Sequence, residues 1–294
     1  MVNVDLTGTG VAIITPFRDD GSIDFQSLKD LVKFHLDEGI NYFVVLGTTG
    51  ESVTLSADEK SAVVSYVIDL VDSQVPIVIG IGGNNTQQVV NQIKSTDFTG
   101  ISAILSVAPY YNKPSQEGIF EHYKTIATSS PVPVILYNVP GRTGVNISAE
   151  TTLQLAHAYD NIIAVKEASG DLVQVMQILK DKPQHFKVIS GDDALTLPLI
   201  TLGGSGVISV VANAYPKEFS KAVNLALNNQ LDNARDQHYR LLDMIDLLFS
   251  EGSPAGIKAL LEILGKTKNN LRLPLVKVGD ETYKKIKYLA ANLK

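Results

Sequence analysis

The sequence lacks several features that define whole classes of protein. None of its 294 residues is cysteine, which excludes disulfide bonds, thiolate metal sites and a cysteine nucleophile. No apolar run reaches the roughly 18 residues that a membrane-spanning helix needs, and residues 1–9 carry no basic and apolar signal pattern. Positive charge is not in excess, since 25 Lys and Arg stand against 31 Asp and Glu, so no nucleic-acid or membrane partner is expected. These absences predict a soluble, cytoplasmic protein.

The sequence instead contains eight short apolar runs that alternate with stretches of helical spacing. Its apolar content of 45% suits one large domain or two ordinary ones. Runs of this kind are typical of parallel strands that are buried on both faces. The predicted strands are Gly10–Phe17, Tyr42–Leu46, Pro76–Gly82, Ala103–Pro109, Pro133–Pro140, Ile162–Gly170, Lys187–Ser190 and Val207–Ala212.

Eight strand-and-helix units in about 230 residues predict an α/β fold, a (β/α)8 TIM barrel over residues 1–228. A C-terminal helical region is predicted to follow over residues 229–294. A doubly wound open sheet is the alternative, but such a sheet commonly carries a glycine-rich dinucleotide loop. The nearest match, Gly80-Ile81-Gly82-Gly83, does not complete the Gly-x-Gly-x-x-Gly pattern.

Lys166 lies inside the sixth predicted strand, where a charged side chain is costly to bury. Loss of hydration favours the neutral amine, which is a nucleophile toward carbonyl groups. Because side chains alternate along a strand, Ala164, Lys166 and Ala168 share one face, while Glu167 points the other way. If Lys166 points into the barrel, the small alanines leave room for a ligand, and Glu167 is a poor partner for the amine. The alternative is a lysine at the strand end whose amine reaches solvent.

Further polar residues lie at the ends of predicted strands, where (β/α)8 barrels have their active sites. Tyr137, on the neighbouring strand, has a phenol that could move a proton beside the lysine; alternatively it is a core aromatic residue. The turn Gly47–Glu51 offers backbone N–H groups and the hydroxyls of Thr48 and Thr49 to a carboxylate, or it is an ordinary strand-to-helix turn. Arg142 is a rigid fork for a carboxylate, or a surface arginine.

Metal and phosphate chemistry are not indicated. No histidine lies at a strand end, and neither His-Glu-x-x-His nor a carboxylate cluster with metal spacing is present. Asp192-Asp193, the only acidic pair at a strand end, is explained as a cap for the following helix. The glycine-rich run 203–206 precedes the eighth strand, whereas phosphate sites of barrels usually follow the last two strands. The residues alone therefore favour a metal-free lyase or aldolase in which Lys166 forms a Schiff base and no cofactor is needed.

Several motifs of this chain resemble those of the dihydrodipicolinate synthase family, within the pyruvate-dependent class I aldolases. They occur in the family's order and cover essentially the whole chain. The matching motifs are Gly47-Thr48-Thr49-Gly50-Glu51, Pro109-Tyr110-Tyr111, Tyr137-Asn138-Val139-Pro140-Gly141-Arg142-Thr143-Gly144, Lys166-Glu167-Ala168-Ser169-Gly170, Ser190-Gly191-Asp192-Asp193, Gly206-Val207-Ile208-Ser209 and Leu271-Arg272-Leu273-Pro274.

The resemblance implies a reaction and its catalytic residues. Pyruvate would condense with L-aspartate 4-semialdehyde to give 4-hydroxy-tetrahydrodipicolinate, in the diaminopimelate route of lysine biosynthesis. Lys166 would form the imine with pyruvate. Thr48, Tyr111 and Tyr137 would form a proton relay, with Tyr111 reaching into the site of a neighbouring subunit.

The resemblance also implies how the substrates are held. The backbone amides of Thr48 and Thr49 would bind the pyruvate carboxylate, and Arg142 would bind the carboxylate of the semialdehyde. Gly191 and Ile208 would line the pocket through their backbone. Self-association is implied as well, as a homotetramer built from two tight dimers.

The chain departs from the family's pattern where feedback-inhibited members bind lysine. The positions of a histidine and a glutamate in those members look like Lys60 and Gln88 here, and a further histidine position looks like Ala57. A neutral amide thus replaces the carboxylate that would hold the lysine ammonium, so inhibition by lysine is expected to be weak or absent. Ser253-Pro254 stands where many members carry Asn-Pro.

Two other functions stay open on the sequence alone. A different pyruvate-dependent aldolase, acting on N-acetylneuraminate or a keto-deoxy sugar acid, would share the threonine turn and the strand lysine, although Gly141-Arg142-Thr143-Gly144 fits the synthase better. A barrel that has lost catalysis could instead bind a keto acid as a sensor. The complete set of candidate residues argues against that function.

Overall fold

The computed structural model describes residues 4–293, and its centre is a closed barrel of eight parallel strands. Neighbours in the barrel are neighbours in sequence, and β1 pairs with β8 to close it. The predicted (β/α)8 barrel is therefore confirmed. The strands are β1 (Gly8–Ala12), β2 (Tyr42–Val45), β3 (Ile77–Gly80), β4 (Ala103–Val107), β5 (Val134–Asn138), β6 (Ile162–Glu167), β7 (Lys187–Ser190) and β8 (Gly206–Ser209).

Helices follow the strands and surround the barrel, and the last three form the C-terminal region. The helices are α1 (Phe25–Asp37), α2 (Ala57–Val71), α3 (Thr86–Ser95), α4 (Gln116–Ser129), α5 (Pro140–Thr143), α6 (Ala149–Ala158), α7 (Leu172–Asp181), α8 (Thr196–Thr201), α9 (Pro216–Leu227), α10 (Leu231–Phe249), α11 (Ala255–Ile263) and α12 (Asp280–Asn292). The predicted boundary between residues 228 and 229 falls in the turn between α9 and α10, and a division into two domains there stays a prediction.

Local sequence signals explain how individual helices begin. The Ser56 hydroxyl accepts a hydrogen bond from the N–H of Glu59, and the Glu59 carboxylate accepts one from the N–H of Ser56, a complete capping box for α2. The side chains of Ser115 and Ser148 likewise accept a hydrogen bond from a backbone N–H in the first turn of α4 and α6. Within residues 4–293, no helix is both long and apolar enough to cross a membrane.

The strands are buried on both faces by two separate apolar clusters. The outer cluster lies between the barrel and the helices and includes Phe43, Ile104 and Val165. The inner cluster fills the barrel and includes Tyr137 and Ala164. Burial on both faces accounts for the continuous apolar runs in the sequence.

The first strand covers Gly8–Ala12, so it both begins and ends earlier than the predicted Gly10–Phe17. Beyond it, the amide side chain of Asn213 takes the place of a strand neighbour: its Nδ2 donates to the carbonyl of Ala12 at 2.8 Å, and its Oδ1 accepts from the N–H of Ile14 at 3.1 Å. β8 is likewise shorter than predicted, since the chain enters a 3-10 helix at Val211–Asn213. One side chain thus holds the ends of both strands.

Candidate active site

Lys166 points into the barrel near the end of β6. Only 6% of the residue is exposed, and its Nζ lies 4.4 Å from the centre of the Tyr137 ring. Tyr137 is the residue opposite Lys166 in the pairing of β5 with β6. Ala164 belongs to the inner cluster with Tyr137, and the partly buried Ala168 packs against that cluster, so the residues two positions before and after Lys166 on its face are small. The alternative of a solvent-reaching amine at a strand end does not fit this burial.

The backbone at Gly191, just after β7, lies directly against the lysine stem. A Cβ atom placed on Gly191 would meet Lys166 Cε at 2.9 Å, Lys166 Cγ at 3.1 Å and Ala168 Cβ at 2.8 Å. Side chains larger than hydrogen would therefore displace the lysine. Ile208, on β8, is buried in the inner cluster. The two predicted lining residues thus both face the barrel interior, and Gly191 does so at contact distance from Lys166.

Glu167 lies on the other face of β6 and takes no part in the lysine's surroundings. Its carboxylate accepts hydrogen bonds from Asn138 Nδ2 at 3.1 Å, from Gln174 Nε2 at 3.0 Å and from the N–H of Ser169 at 2.8 Å. These bonds join the ends of β5 and β6 to α7. Glu167 is therefore a support for the strand ends.

The turn Gly47–Glu51 follows β2 at the same end of the barrel. Left-handed residues bracket it, Leu46 with φ 59° and Glu51 with φ 52°. The N–H groups of Gly50 and Glu51 close the turn by donating to the carbonyls of Gly47 and Thr48. Within residues 4–293, the N–H groups of Thr48 and Thr49 donate to no acceptor. Two adjacent free N–H groups are suited to a carboxylate ligand.

Arg142 and Tyr111 do not contact Lys166 within one chain. Arg142 lies in the short helix α5, and its Nη2 donates to the carbonyl of Ser253 at 3.4 Å. Tyr111 has a left-handed backbone (φ 74°), and its side chain is 87% exposed. The chain thus brings Lys166, Tyr137 and Gly191 together, whereas Tyr111 projects from the surface.

The interpretation of Asp192-Asp193 as a helix cap is wrong for the second residue. Asp192 accepts from the N–H of Ala194, close to the start of α8. Asp193 instead accepts from the N–H groups of Val210 and Val211 at 3.0 and 2.8 Å, and so holds the chain after β8. Burial raises the pKa of Asp193 to about 6, although these hydrogen bonds oppose the shift. Within residues 4–293, no group of three His, Asp or Glu side chains is arranged to hold a metal ion.

Sequence reasoning missed a second buried lysine, Lys258 on α11. Its side chain is fully buried, and its Nζ forms an ion pair with the equally buried carboxylate of Glu51, the last residue of the threonine turn. Burial lowers the pKa of Lys258 to about 8, while Glu51 acts in the opposite direction. The available signal was a lysine within the apolar run Gly256–Leu261, the same signal that drew attention to Lys166.

A separate cavity of about 520 Å³ lies at the opposite end of the barrel, among the loops that precede the strands. Pro76, Ser102, Pro133 and Asn161 are among its lining residues. None of the candidate site residues borders it. The candidate site residues therefore lie at the end at which the strands finish, the usual location of the active site in (β/α)8 barrels.

The fold and the site place the protein in a class, namely the (β/α)8 barrels with an interior lysine that is suited to imine formation. The family model described as Dihydrodipicolinate synthetase family matches residues 5–293. The 4-hydroxy-tetrahydrodipicolinate synthase of Parabacteroides distasonis is 53% identical over 293 residues, covering 100% of this chain and 99% of that protein. The chain therefore belongs to the dihydrodipicolinate synthetase family.

Solved structures show the same relationship. Dihydrodipicolinate synthase from Thermotoga maritima superposes with a TM-score of 0.95 at 38% identity, covering 98% of each chain. A chloride-inhibited dihydrodipicolinate synthase from Acinetobacter baumannii, solved in complex with pyruvate, gives a TM-score of 0.95 at 36% identity and covers 98% of this chain and 99% of that one. The predicted family is confirmed by these comparisons.

Proposed function

We propose that the protein condenses pyruvate with L-aspartate 4-semialdehyde, through a Schiff base on Lys166, to give 4-hydroxy-tetrahydrodipicolinate for lysine biosynthesis. The observation that carries the proposal is the amine of Lys166, buried inside the barrel above the Tyr137 ring. Membership of the dihydrodipicolinate synthetase family supports it, as does the pyruvate complex of the relative from Acinetobacter baumannii.

The lysine chemistry follows from its surroundings. The neutral amine adds to the C2 carbonyl of pyruvate, and loss of water leaves a protonated imine. The positive charge of the imine draws electrons from the methyl group, which loses a proton to give an enamine. The enamine carbon attacks the aldehyde carbon of the semialdehyde, and the aldehyde oxygen takes up a proton. The amino group of the semialdehyde then attacks the imine carbon, which closes the ring and releases Lys166 as a free amine.

Each of these steps moves a proton, and hydroxyl groups are the available carriers. Tyr137 supplies a phenol beside the amine, because the centre of its ring lies 4.4 Å from Lys166 Nζ. Thr48 is exposed at the end of β2 and would continue the relay. Tyr111 projects into solvent in the single chain, so in our proposal it completes the relay in the site of a neighbouring subunit.

The two substrate carboxylates would be held by different groups. The free N–H groups of Thr48 and Thr49 suit the pyruvate carboxylate, and Gly191 and Ile208 form the wall of the same pocket. Arg142, on α5, would bind the semialdehyde carboxylate through its planar guanidinium. This division places the small substrate deep in the barrel and the larger one toward its opening.

A neighbouring subunit is part of the proposal, because Tyr111 is too exposed to act within its own chain. We assign the protein to a homotetramer formed from two tight dimers, with each dimer exchanging Tyr111. A cytoplasmic location completes the proposed function. Sedimentation of the protein with Tyr111→Phe as a matched variant would test the assembly, since the substitution removes only a hydroxyl group.

The test of the reaction compares two assays, one with the proposed pair of substrates and one with N-acetylneuraminate. With pyruvate and L-aspartate 4-semialdehyde, the protein should consume both substrates in equal amounts. With N-acetylneuraminate alone it should release no pyruvate. The reverse pattern would assign the protein to the sialic acid lyases, and no turnover in either assay would leave only keto-acid binding. Lys166→Ala serves as the inactive control in both assays.

A further inference from the structure

The threonine turn is anchored by a side chain that points away from the substrate site. Glu51 ends the turn with a left-handed backbone, a conformation that a glutamate adopts only where its surroundings enforce it. Its carboxylate is buried: Oε1 forms the ion pair with Lys258 Nζ, and Oε2 accepts from the N–H of Arg272 at 3.1 Å. The turn is therefore attached to the C-terminal region by both oxygens of a single carboxylate.

Lys258 is itself held on every side. Its Nζ donates to the carbonyl of Asn270 at 2.8 Å and lies 4.2 Å from the centre of the Phe17 ring. The ammonium group is thus in contact with a carboxylate, a carbonyl oxygen and an aromatic ring. Because both charged side chains are fully buried, neither can exchange its partner for water.

A second ion pair continues the network toward the surface. The guanidinium carbon of Arg272 also lies over the Phe17 ring, 4.5 Å from its centre, and Nη1 donates to Glu59 Oε2 at 2.8 Å. The side chains of this outer pair are partly exposed and form no hydrogen bond with the turn, which Arg272 contacts through its backbone N–H alone. The network thus has an inner half, Glu51 with Lys258, and an outer half, Arg272 with Glu59.

The other side of the turn is fixed by backbone contacts. The hydroxyl of Thr15 donates to the carbonyl of Gly50 at 2.7 Å. At the start of the turn, a Cβ atom on Gly80 would meet the carbonyl oxygen of Leu46 at 2.2 Å, so the glycine lets β3 approach closely. Both ends of the turn are therefore held, and within residues 4–293 its only ion pair is that of Glu51 with Lys258.

We propose that Glu51 and Lys258 are positioning residues, which hold the turn so that the N–H groups of Thr48 and Thr49 face the carboxylate of the keto acid. The inference rests on the proposed function of that turn. Neither side chain touches substrate. Their effect is to fix the donors before pyruvate binds, so that binding does not have to order them.

The test compares substitutions in the inner pair with a substitution in the outer pair. Glu51→Gln keeps the shape of the side chain and an acceptor for Arg272, and the double variant Glu51→Gln with Lys258→Met removes both buried charges together. Glu59→Gln removes the charge of the outer pair and keeps a side-chain oxygen for the N–H of Ser56 in the capping box of α2. Leu155→Ala, a buried residue of α6 on the opposite side of the barrel, is the control for a general loss of stability.

The readout is the pyruvate concentration at which half of the protein is trapped as a reduced adduct by borohydride. Both inner-pair variants should raise it about tenfold, because weakened charge-assisted hydrogen bonds reduce carboxylate binding. The fraction of protein that is trapped as the adduct at saturating pyruvate should change little, and so should the KM for the semialdehyde. Glu59→Gln and Leu155→Ala should leave the half-saturating concentration within twofold of the unsubstituted protein.

A folded inner-pair variant with an unchanged half-saturating concentration would overturn the positioning role. Hydrogen exchange on the unsubstituted protein tests the role without any substitution: the N–H groups of Gly50 and Glu51 should exchange slowly in the absence of pyruvate, and rapid exchange would overturn the inference. If the unsubstituted protein forms no adduct at all, the proposed function fails instead, so the two failures are distinct.

Discussion

Lys166 and Lys258 are both buried lysines, yet the protein surrounds them with different chemistry. Lys258 has a carboxylate, a carbonyl oxygen and an aromatic ring around its ammonium group. Lys166 faces the ring of Tyr137 and the backbone at Gly191, and none of the ion pairs within residues 4–293 includes it. Burial alone therefore does not identify a nucleophile. In our proposal, the amine that has no anionic partner is the one that reacts with the substrate.

The largest expected effect separates the two lysines by substitution. Lys166→Ala should lower kcat by more than about 10³-fold, because the covalent intermediate is lost. Lys258→Met should retain adduct formation with pyruvate, although it leaves the buried carboxylate of Glu51 without its cationic partner and so destabilises the fold. Steady-state kinetics and thermal unfolding of both variants check this. Equal loss of turnover in two well-folded variants would remove the distinction between the lysines.

A methyl group at Gly191 should disturb Lys166 and leave Lys258 untouched. Since the new Cβ atom would lie 2.9 Å from Lys166 Cε, the amine must move, and displacement of a reacting group by about 1 Å costs roughly 10²-fold in rate. We therefore expect kcat/KM for Gly191→Ala to fall by about that factor. Gly83→Ala is the matched control, because its Cβ atom would meet only Val89 Cγ2, at 3.4 Å. Similar rates for both variants would contradict the contact.

The charge of Lys258 should be visible in the pH dependence of stability. Because burial lowers its pKa from 10.5 to about 8, the unfolded chain binds more protons than the folded one between those values. The free energy of unfolding should therefore rise as the pH rises from 8 to 10. This gain is at most about 3 kcal/mol, and it is absent below pH 8.

Urea unfolding of the protein and of Lys258→Met, compared at each pH, isolates this contribution. The difference between them should change in favour of the unsubstituted protein as pH rises. A constant difference from pH 7 to 10 would show that Lys258 keeps its charge throughout, and that the ion pair with Glu51 outweighs burial.

The smallest expected effect concerns lysine as an added ligand. Ala57 and Lys60 lie on α2 and Gln88 lies on α3, and none of these positions supplies a carboxylate to an ammonium group. Millimolar L-lysine should therefore change the rate little. An inhibition constant in the low-millimolar range or below would contradict the expectation, and Gln88→Glu should strengthen any residual inhibition.

The comparison of the two lysines also shows what the sequence can predict. The eight apolar runs predicted the barrel because parallel strands that are buried on both faces leave a strong local pattern. Alternation along β6 placed Lys166 inside and Glu167 outside, as the structure has them. The family motifs identified the family, which the comparisons confirm. The roles of Thr48, Thr49, Tyr111, Tyr137 and Arg142 stay predictions.

Long-range pairings were beyond the reach of these patterns. Glu51 and Lys258 are more than 200 positions apart, and nothing in either segment specifies the other as its partner. Asp193 was assigned to the nearest helix because local caps are the commonest use of such residues, whereas its carboxylate binds the chain after β8. The early end of β1 has the same origin, since the side chain that ends it, Asn213, comes from the far end of the barrel sequence.

The most direct measurement is the location of the pyruvate adduct. The protein is incubated with pyruvate and borohydride, its intact mass is measured, and the modified peptide is identified. The account predicts one adduct for each chain, on Lys166, and none on Lys258. A folded protein without an adduct, or an adduct on any other lysine, would contradict it.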